Sequence, residues 1–146
     1  MMFSVVGYLR SNKELVSAFL NIRGNLKKGG LLIFDYWNGN SVLSSPPKQN
    51  FKTFSKDEFE VIRMSTPQNN LDEQSTKIEF RTILKSDSKI ISDFTESHQV
   101  RFYFSNELSF ALNNSNFEIV NISKFPNLDE KLDSNSWYGS VVARAI

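Results

Sequence analysis

From Ser11 onward the apolar residues Leu15, Phe19, Ile22 and Leu26 recur at spacings of four, three and four, which puts them on one face of a helix. Ser11-Asn12-Lys13-Glu14 opens that helix as a capping box. The Ser11 hydroxyl is placed to accept from the Glu14 amide, and the Glu14 carboxylate to reach back. Lys27 and Lys28 then fall in the last turn, where cations meet the negative end of the helix dipole, and Gly29-Gly30 supplies a left-handed stop. Leu31-Leu32-Ile33-Phe34 follows directly and is wholly apolar, the pattern of parallel strands covered on both faces. Helix, glycine turn and buried strand in this order make half of a βαβ unit. Asp35 to Asn40 is then the polar and aromatic segment expected just beyond the strand's carboxyl end.

Between Phe51 and about Phe104 the period changes. Residues 58–64, 76–84 and 89–104 alternate polar with apolar, as half-buried antiparallel strands do. Ser86 to Lys89 reads as a short hairpin turn and Pro67 to Gln74 as a longer, looser one. Ser105-Asn106-Glu107-Leu108 opens a short helix that carries Leu108, Ala111 and Leu112 inward and ends near Asn113-Asn114. Phe117 to Ile122 and Trp137 to Ala145 read as two last strands, joined by a polar loop around Pro126 to Asn135. The expectation is a single domain over residues 1–146 of the α/β class. Residues 1–50 and 105–146 form its sheet and helix core, and 51–104 form an antiparallel β insertion.

Composition narrows the function classes. With 146 residues, 40% hydrophobic and 23% charged, the chain is long and apolar enough to bury a core. Seventeen basic against sixteen acidic residues, with no basic run, argue against a nucleic acid or a membrane surface held by long-range charge. The absence of cysteine excludes disulfides, thiolate metal sites and thiol nucleophiles, and a single histidine argues against structural zinc. The apolar stretch within Met1 to Arg10 is too short to span a bilayer and has no basic leader, so a cytoplasmic protein is expected. The Asn-x-Ser triplets at Asn113 and Asn121 carry little weight without a signal peptide. Thirteen Phe beside two Trp and four Tyr point to cores and strand faces built on Phe.

Two places carry candidate chemistry. Ligands of open α/β sheets bind beyond the carboxyl ends of strands, which points at Asp35 to Asn40. Asp35 offers a carboxylate to orient an amine or hydroxyl, with Tyr36 and Trp37 as walls. The plainer reading makes Asp35 a turn cap and the aromatics core residues. His98 is the only histidine and a candidate general base, with Glu96 on the same strand face and Arg101 on the other. The plainer reading is a strand histidine with no task. There is no G-x-G-x-G cluster, no P-loop and no early strand ending in a ribose-binding acid. Ser44-Ser45-Pro46-Pro47 likewise lacks the glycines of a nucleophile elbow.

The segment Met2-Phe3-Ser4-Val5-Val6-Gly7-Tyr8-Leu9, followed by Leu26-Lys27-Lys28-Gly29-Gly30-Leu31-Leu32-Ile33-Phe34-Asp35-Tyr36-Trp37, resembles class I S-adenosylmethionine-dependent methyltransferases from the end of their fourth strand through the fifth. Lys28 stands where that family's L-K-P-G-G turn has proline. Glu96-Ser97-His98, Arg101-Phe102-Tyr103-Phe104 and Glu107-Leu108 resemble the subgroup with an antiparallel flap, which includes N,N-dimethyltransferases of nucleotide-linked amino sugars. The resemblance covers nearly the whole chain, as the carboxyl-terminal half of such an enzyme. It implies a partial Rossmann-like sheet with an inserted flap, the first three strands and the glycine-rich loop being absent. It also implies S-adenosylmethionine as cofactor, bound mainly by the missing half, with the residues from Phe3 to Tyr8 bordering the sulfonium, Val6, Gly7 and Tyr8 foremost. A small-molecule acceptor would lie among Asp35, Tyr36, Trp37, Asn38 and Arg101, with His98 handling its proton. The competing expectation is a non-catalytic, truncated α+β module. It would form homo-oligomers through an exposed sheet edge and the apolar faces around Leu32 and Phe34.

Overall fold

The computed structural model describes residues 1–87 and 89–146. The chain divides into two units, Met1–Pro46 with Arg101–Ile146, and Pro47–Val100.

In the first unit a 3-10 turn, Val5–Tyr8, leads into helix α1, Asn12–Gly24. The capping box forms: the Glu14 amide donates to Ser11 Oγ at 3.1 Å, and the Ser11 amide to Glu14 Oε2 at 2.8 Å. Leu15 and Phe19 are buried on its inner face. The helix ends at Gly24, well short of the Lys27-Lys28 turn expected from sequence. Glycine is a poor helix former, and the Asn25 side-chain amide bonds the Asn21 carbonyl at 2.8 Å where a further turn would run. Gly29, at φ +82°, then turns the chain and donates to the Ala145 carbonyl at 2.8 Å.

Strand β1, Leu31–Trp37, is the expected apolar run, but it is longer and pairs differently. Strands β6, Phe117–Lys124, and β7, Tyr138–Ala145, complete a sheet of order β1-β7-β6. β7 lies antiparallel to both neighbours, from Leu31↔Arg144 to Trp37↔Tyr138 on the β1 side. The parallel, doubly covered strand expected at 31–34 is thus corrected. Leu32, Phe34 and Tyr36 are buried, whereas Leu31 and Ile33 on the other face remain 51% and 39% exposed, so over residues 31–34 only one face is covered. A short apolar run does not distinguish these cases, because antiparallel sheets tolerate a bare face. Parallel bonding appears along β1's outer edge. There the Met1 amine donates to Ile33 O at 2.7 Å and the Asp35 amide to Met1 O at 3.3 Å. At its far end the Tyr103 amide donates to Trp37 O at 3.0 Å and the Gly39 amide to Tyr103 O at 2.9 Å.

Beyond β1 lies a helix that the sequence pattern did not reveal, α2, Gly39–Ser44, capped by Asn38. Helix α3, Ser105–Asn113, buries Leu108, Ala111 and Leu112, as expected. Together with Leu15, Phe19, Phe34, Tyr36, Phe117 and Val141 they form one core, in which the Phe19 and Phe34 rings sit 5.5 Å apart. Gly139 lies opposite Tyr36 in the ladder, and a Cβ there would meet the Tyr36 ring at 2.5 Å.

The second unit is a sheet of order β2-β3-β4-β5, formed by Asn50–Lys56, Phe59–Asn70, Ser75–Ser86 and Lys89–Arg101, the last residue belonging to the first unit. β2 was not foreseen. β3 runs through Pro67, which shortens the expected loose turn. Pro67 lies past the last β2 pair, Asn50↔Ser65, where a missing N–H breaks no ladder on that side. In the expected turn at Ser86–Lys89, Ser88 lies outside the described residues. Ion pairs cross the strands from Lys85 to Glu60 at 2.7 Å and from Arg81 to Asp93 at 2.6 Å. Among the described residues of this unit only Ser75, Thr76 and Val100 are buried. No helix among the described residues is long and apolar enough to cross a membrane.

Candidate functional site

The pleat of β1 places Asp35 and Trp37 on the face opposite Tyr36, and the ladder sets Tyr138 directly across from Trp37. Asp35 is only 1% exposed. Its Oδ2 accepts from the Ser4 amide at 2.8 Å and from Ser4 Oγ at 2.9 Å. To donate both, Phe3 and Ser4 adopt left-handed backbone at φ 64° and 56°, a conformation residues with side chains seldom take. The other oxygen, Asp35 Oδ1, is buried and has no hydrogen-bond partner. Around it lies a cavity of about 210 Å³ lined by Phe3, Ser4, Asp35, Trp37, Phe125 and Tyr138. Burial, and secondarily the negative charge of Asp35, raise the Tyr138 phenol above its ordinary 10, so it stays a neutral hydroxyl at physiological pH. An acceptor-only carboxylate among aromatic rings suits a cation or a strong hydrogen-bond donor.

The other candidate residues take different places. Tyr36 is buried in the core, its hydroxyl 3.3 Å from Ser105 Oγ. Asn38 is buried and donates through Nδ2 to the carbonyls of Asp133 and Ser136, both at 2.9 Å, while Ser41 Oγ donates to Ser134 O at 2.7 Å. These bonds fasten the loop that delivers Tyr138. Val6 and Gly7 are buried and Tyr8 is 51% exposed. The Tyr103 hydroxyl reaches the carbonyls of Val6 at 3.0 Å and Leu9 at 2.6 Å, which secures the 3-10 turn. Arg101 is buried and engages Glu107, Asn12 Oδ1 at 2.6 Å and Arg10 O at 3.3 Å, with its guanidinium over the Tyr103 ring.

His98 lies in the second unit on β5. Its Nε2 is 3.7 Å from Glu96 Oε1, and the Phe80 ring meets it edge-on at 5.6 Å. Arg63 stacks over Phe80 at 4.1 Å and stands 3.9 Å from Glu96. Among the described residues no group of three or more His, Asp or Glu could hold a metal ion.

Two of the cavity residues, Phe125 and Tyr138, were not foreseen; Phe3 and Ser4 fall in the segment expected to border a sulfonium, but their contact with Asp35 was not foreseen. Phe3 and Ser4 sit in an apolar leader whose left-handed turn has no sequence mark. Phe125 and Tyr138 flank a polar loop far along the chain from Asp35.

No family model matches the sequence, and no curated protein matches it. Solved structures do match. An S-adenosylmethionine-dependent methyltransferase from Clostridium acetobutylicum ATCC 824 aligns over 99% of this chain and 56% of its own, at 17% identity and a TM-score of 0.82. The chain has the fold of about half of such a methyltransferase. DesVI of Streptomyces venezuelae aligns with the same coverages at 18% identity and a TM-score of 0.76. CalS10, an amino pentose methyltransferase of Micromonospora echinaspora solved with S-adenosylmethionine bound, does so at 16% and 0.72. The chain thus spans little more than half the length of the structures it matches.

Proposed function

We propose that this chain forms the substrate-side half of an S-adenosylmethionine-dependent methyltransferase that places a methyl group on a nitrogen or oxygen of a small molecule, an amino sugar being the favoured acceptor. The observation that carries the reading is the match of 99% of the chain to methyltransferase structures, an amino pentose methyltransferase among them. The residues present suit only part of the cofactor. Tyr8 offers a half-exposed ring to a positive sulfur, next in the chain to the buried Val6 and Gly7. The six scattered glycines make no cradle for the adenosine or amino acid ends, which must be held elsewhere. The cofactor, when bound, supplies an electrophilic methyl group. In the first unit Asp35 and Trp37 orient the acceptor; in the second His98, with Glu96 beside it, is the candidate general base. The test is transfer of tritiated methyl from S-adenosylmethionine to a panel of amines and alcohols, by the chain joined to the segment encoded directly upstream. Transfer that falls at least tenfold in His98→Ala is the expected result. If the upstream frame encodes no strand and glycine loop, and the chain neither binds the cofactor nor transfers a methyl, the reading is wrong.

A second reading, a non-catalytic module that self-associates, loses the faces expected around Leu32 and Phe34, which are buried in the core, and draws instead on the exposed apolar side chains of Leu31 and Ile33 on β1 and of Val120 on β6. Sedimentation of the chain separates the two. A stable dimer with no affinity for cofactor favours the module, and a monomer counts against it.

A further inference from the structure

We infer that the Asp35 cavity is a seat for a methylated ammonium group that still carries one N–H. The inference rests on the methyl-transfer reading for the owner of that group, the acceptor, but its physical basis is separate. Ser4 saturates Oδ2 of Asp35 through both its amide and its hydroxyl, and the left-handed Phe3–Ser4 backbone holds those donors in place. The carboxylate cannot turn to satisfy its second oxygen without giving up the first. Oδ1 therefore stays buried and unpartnered, an expensive arrangement unless a ligand's charged N–H completes it.

The rest of the lining selects among cations. Phe3, Trp37, Phe125 and Tyr138 present four aromatic side chains, whose faces attract spread positive charge but accept no strong hydrogen bond. Asp35 is the one carboxylate among the lining residues, and Tyr138 adds one neutral hydroxyl. A primary ammonium would bring three N–H donors to this lining and leave some unpaired. A quaternary ammonium brings none and leaves Oδ1 unanswered. A tertiary ammonium matches, with one N–H for Oδ1 and methyl groups for the rings. The same species arises when a secondary amine attacks a methylsulfonium. The nitrogen lone pair forms the new C–N bond, the S–C bond breaks, the sulfur leaves as a neutral thioether, and the nitrogen is left positive with its one N–H. Phe3, 90% exposed at the lip, is the ring free to cover the group.

The test is a competition series on the full chain. The methyl signal of trimethylammonium chloride is followed by saturation-transfer NMR while ammonium, tetramethylammonium and trimethylsulfonium salts are added. Trimethylammonium should bind about tenfold tighter than ammonium and severalfold tighter than tetramethylammonium or trimethylsulfonium. Asp35→Asn should weaken it about tenfold. Trp37→Leu, which leaves the Ser4–Asp35 bonds in place, should weaken it severalfold and serves if Asp35→Asn does not fold. Trimethylsulfonium binding as tightly as trimethylammonium would assign the cavity to the cofactor and overturn the inference. So would binding unchanged in either variant, or none at all. Methyl transfer to a hydroxyl acceptor by the assembled enzyme, with no ammonium bound here, also overturns it and leaves the proposed activity standing. Trimethylammonium binding in an assembled enzyme that never transfers methyl sinks the activity and keeps the seat.

Discussion

The two units of this chain are held by different forces. The unit formed by Met1–Pro46 and Arg101–Ile146 closes around Phe19, Phe34, Tyr36, Leu108, Leu112 and Phe117, all buried. In the unit formed by Pro47–Val100, Phe51, Phe54, Phe59 and Phe94 are exposed, and the four strands rely on their ladders and on cross-strand ion pairs. Backbone hydrogen bonds define a sheet, but apolar burial supplies most of the folding free energy. The first unit is therefore where stability resides. The second is a surface whose order follows from strand pairing.

The largest expected effect tests that contrast directly. Phe19→Ala should lower unfolding stability by about 3 to 5 kcal/mol in urea titration, whereas Phe54→Ala should change it by less than about 1 kcal/mol. Equal losses would break the comparison. Arg101→Met comes next, at about 3 kcal/mol, because it strands the partly buried Glu107 carboxylate and the Asn12 and Arg10 acceptors. Gly139→Ala should follow at about 1 to 3 kcal/mol, since its new methyl group strikes a ring packed in the core. Hydrogen exchange sharpens the picture without mutation, with amides of β2 to β5 exchanging before those of β1 and β7.

The smallest effect is shared by both units. Glu14 is held below its ordinary 4.5 chiefly by the Ser11 amide, Glu130 chiefly by Lys124, Asp93 below 3.8 chiefly by Arg81, and Asp133 chiefly by the Ser136 hydroxyl. A carboxyl with a lowered folded pKa adds stability that is fully present above its unfolded value and is lost as pH falls through the folded one. The urea midpoint should therefore hold from neutrality to about pH 5 and decline below it. Arg81→Ala should remove only the Asp93 share, and a midpoint that rises on acidification would contradict this account.

Sequence patterns reached some of this organisation and missed the rest for physical reasons. The first helix was legible because a capping box and a 3.6-residue period are local signals, as were the alternating strands of the second unit. The partner of β1 was not legible, because an apolar run is the same whether its neighbour is parallel or antiparallel, and β7 lies about a hundred residues away. The rule that ligands gather at strand ends led to Asp35 and Trp37, which line the cavity, but also to Tyr36, which the pleat turns into the core. Tyr138 joins them only through ladder register, and Ser4 only through a backbone angle that no residue type announces.

Tyr103 ties these distant pieces together. Its backbone straddles Trp37 and Gly39 while its hydroxyl reaches Val6 and Leu9, so the far end of β1 and the turn after Ser4 are moored to one residue. A ligand that pulls on Asp35 from one side, or a partner that presses on Tyr8 from the other, therefore loads the same anchor. Tyr103 stands just ahead of α3, so strain on either segment meets the start of that helix through one residue.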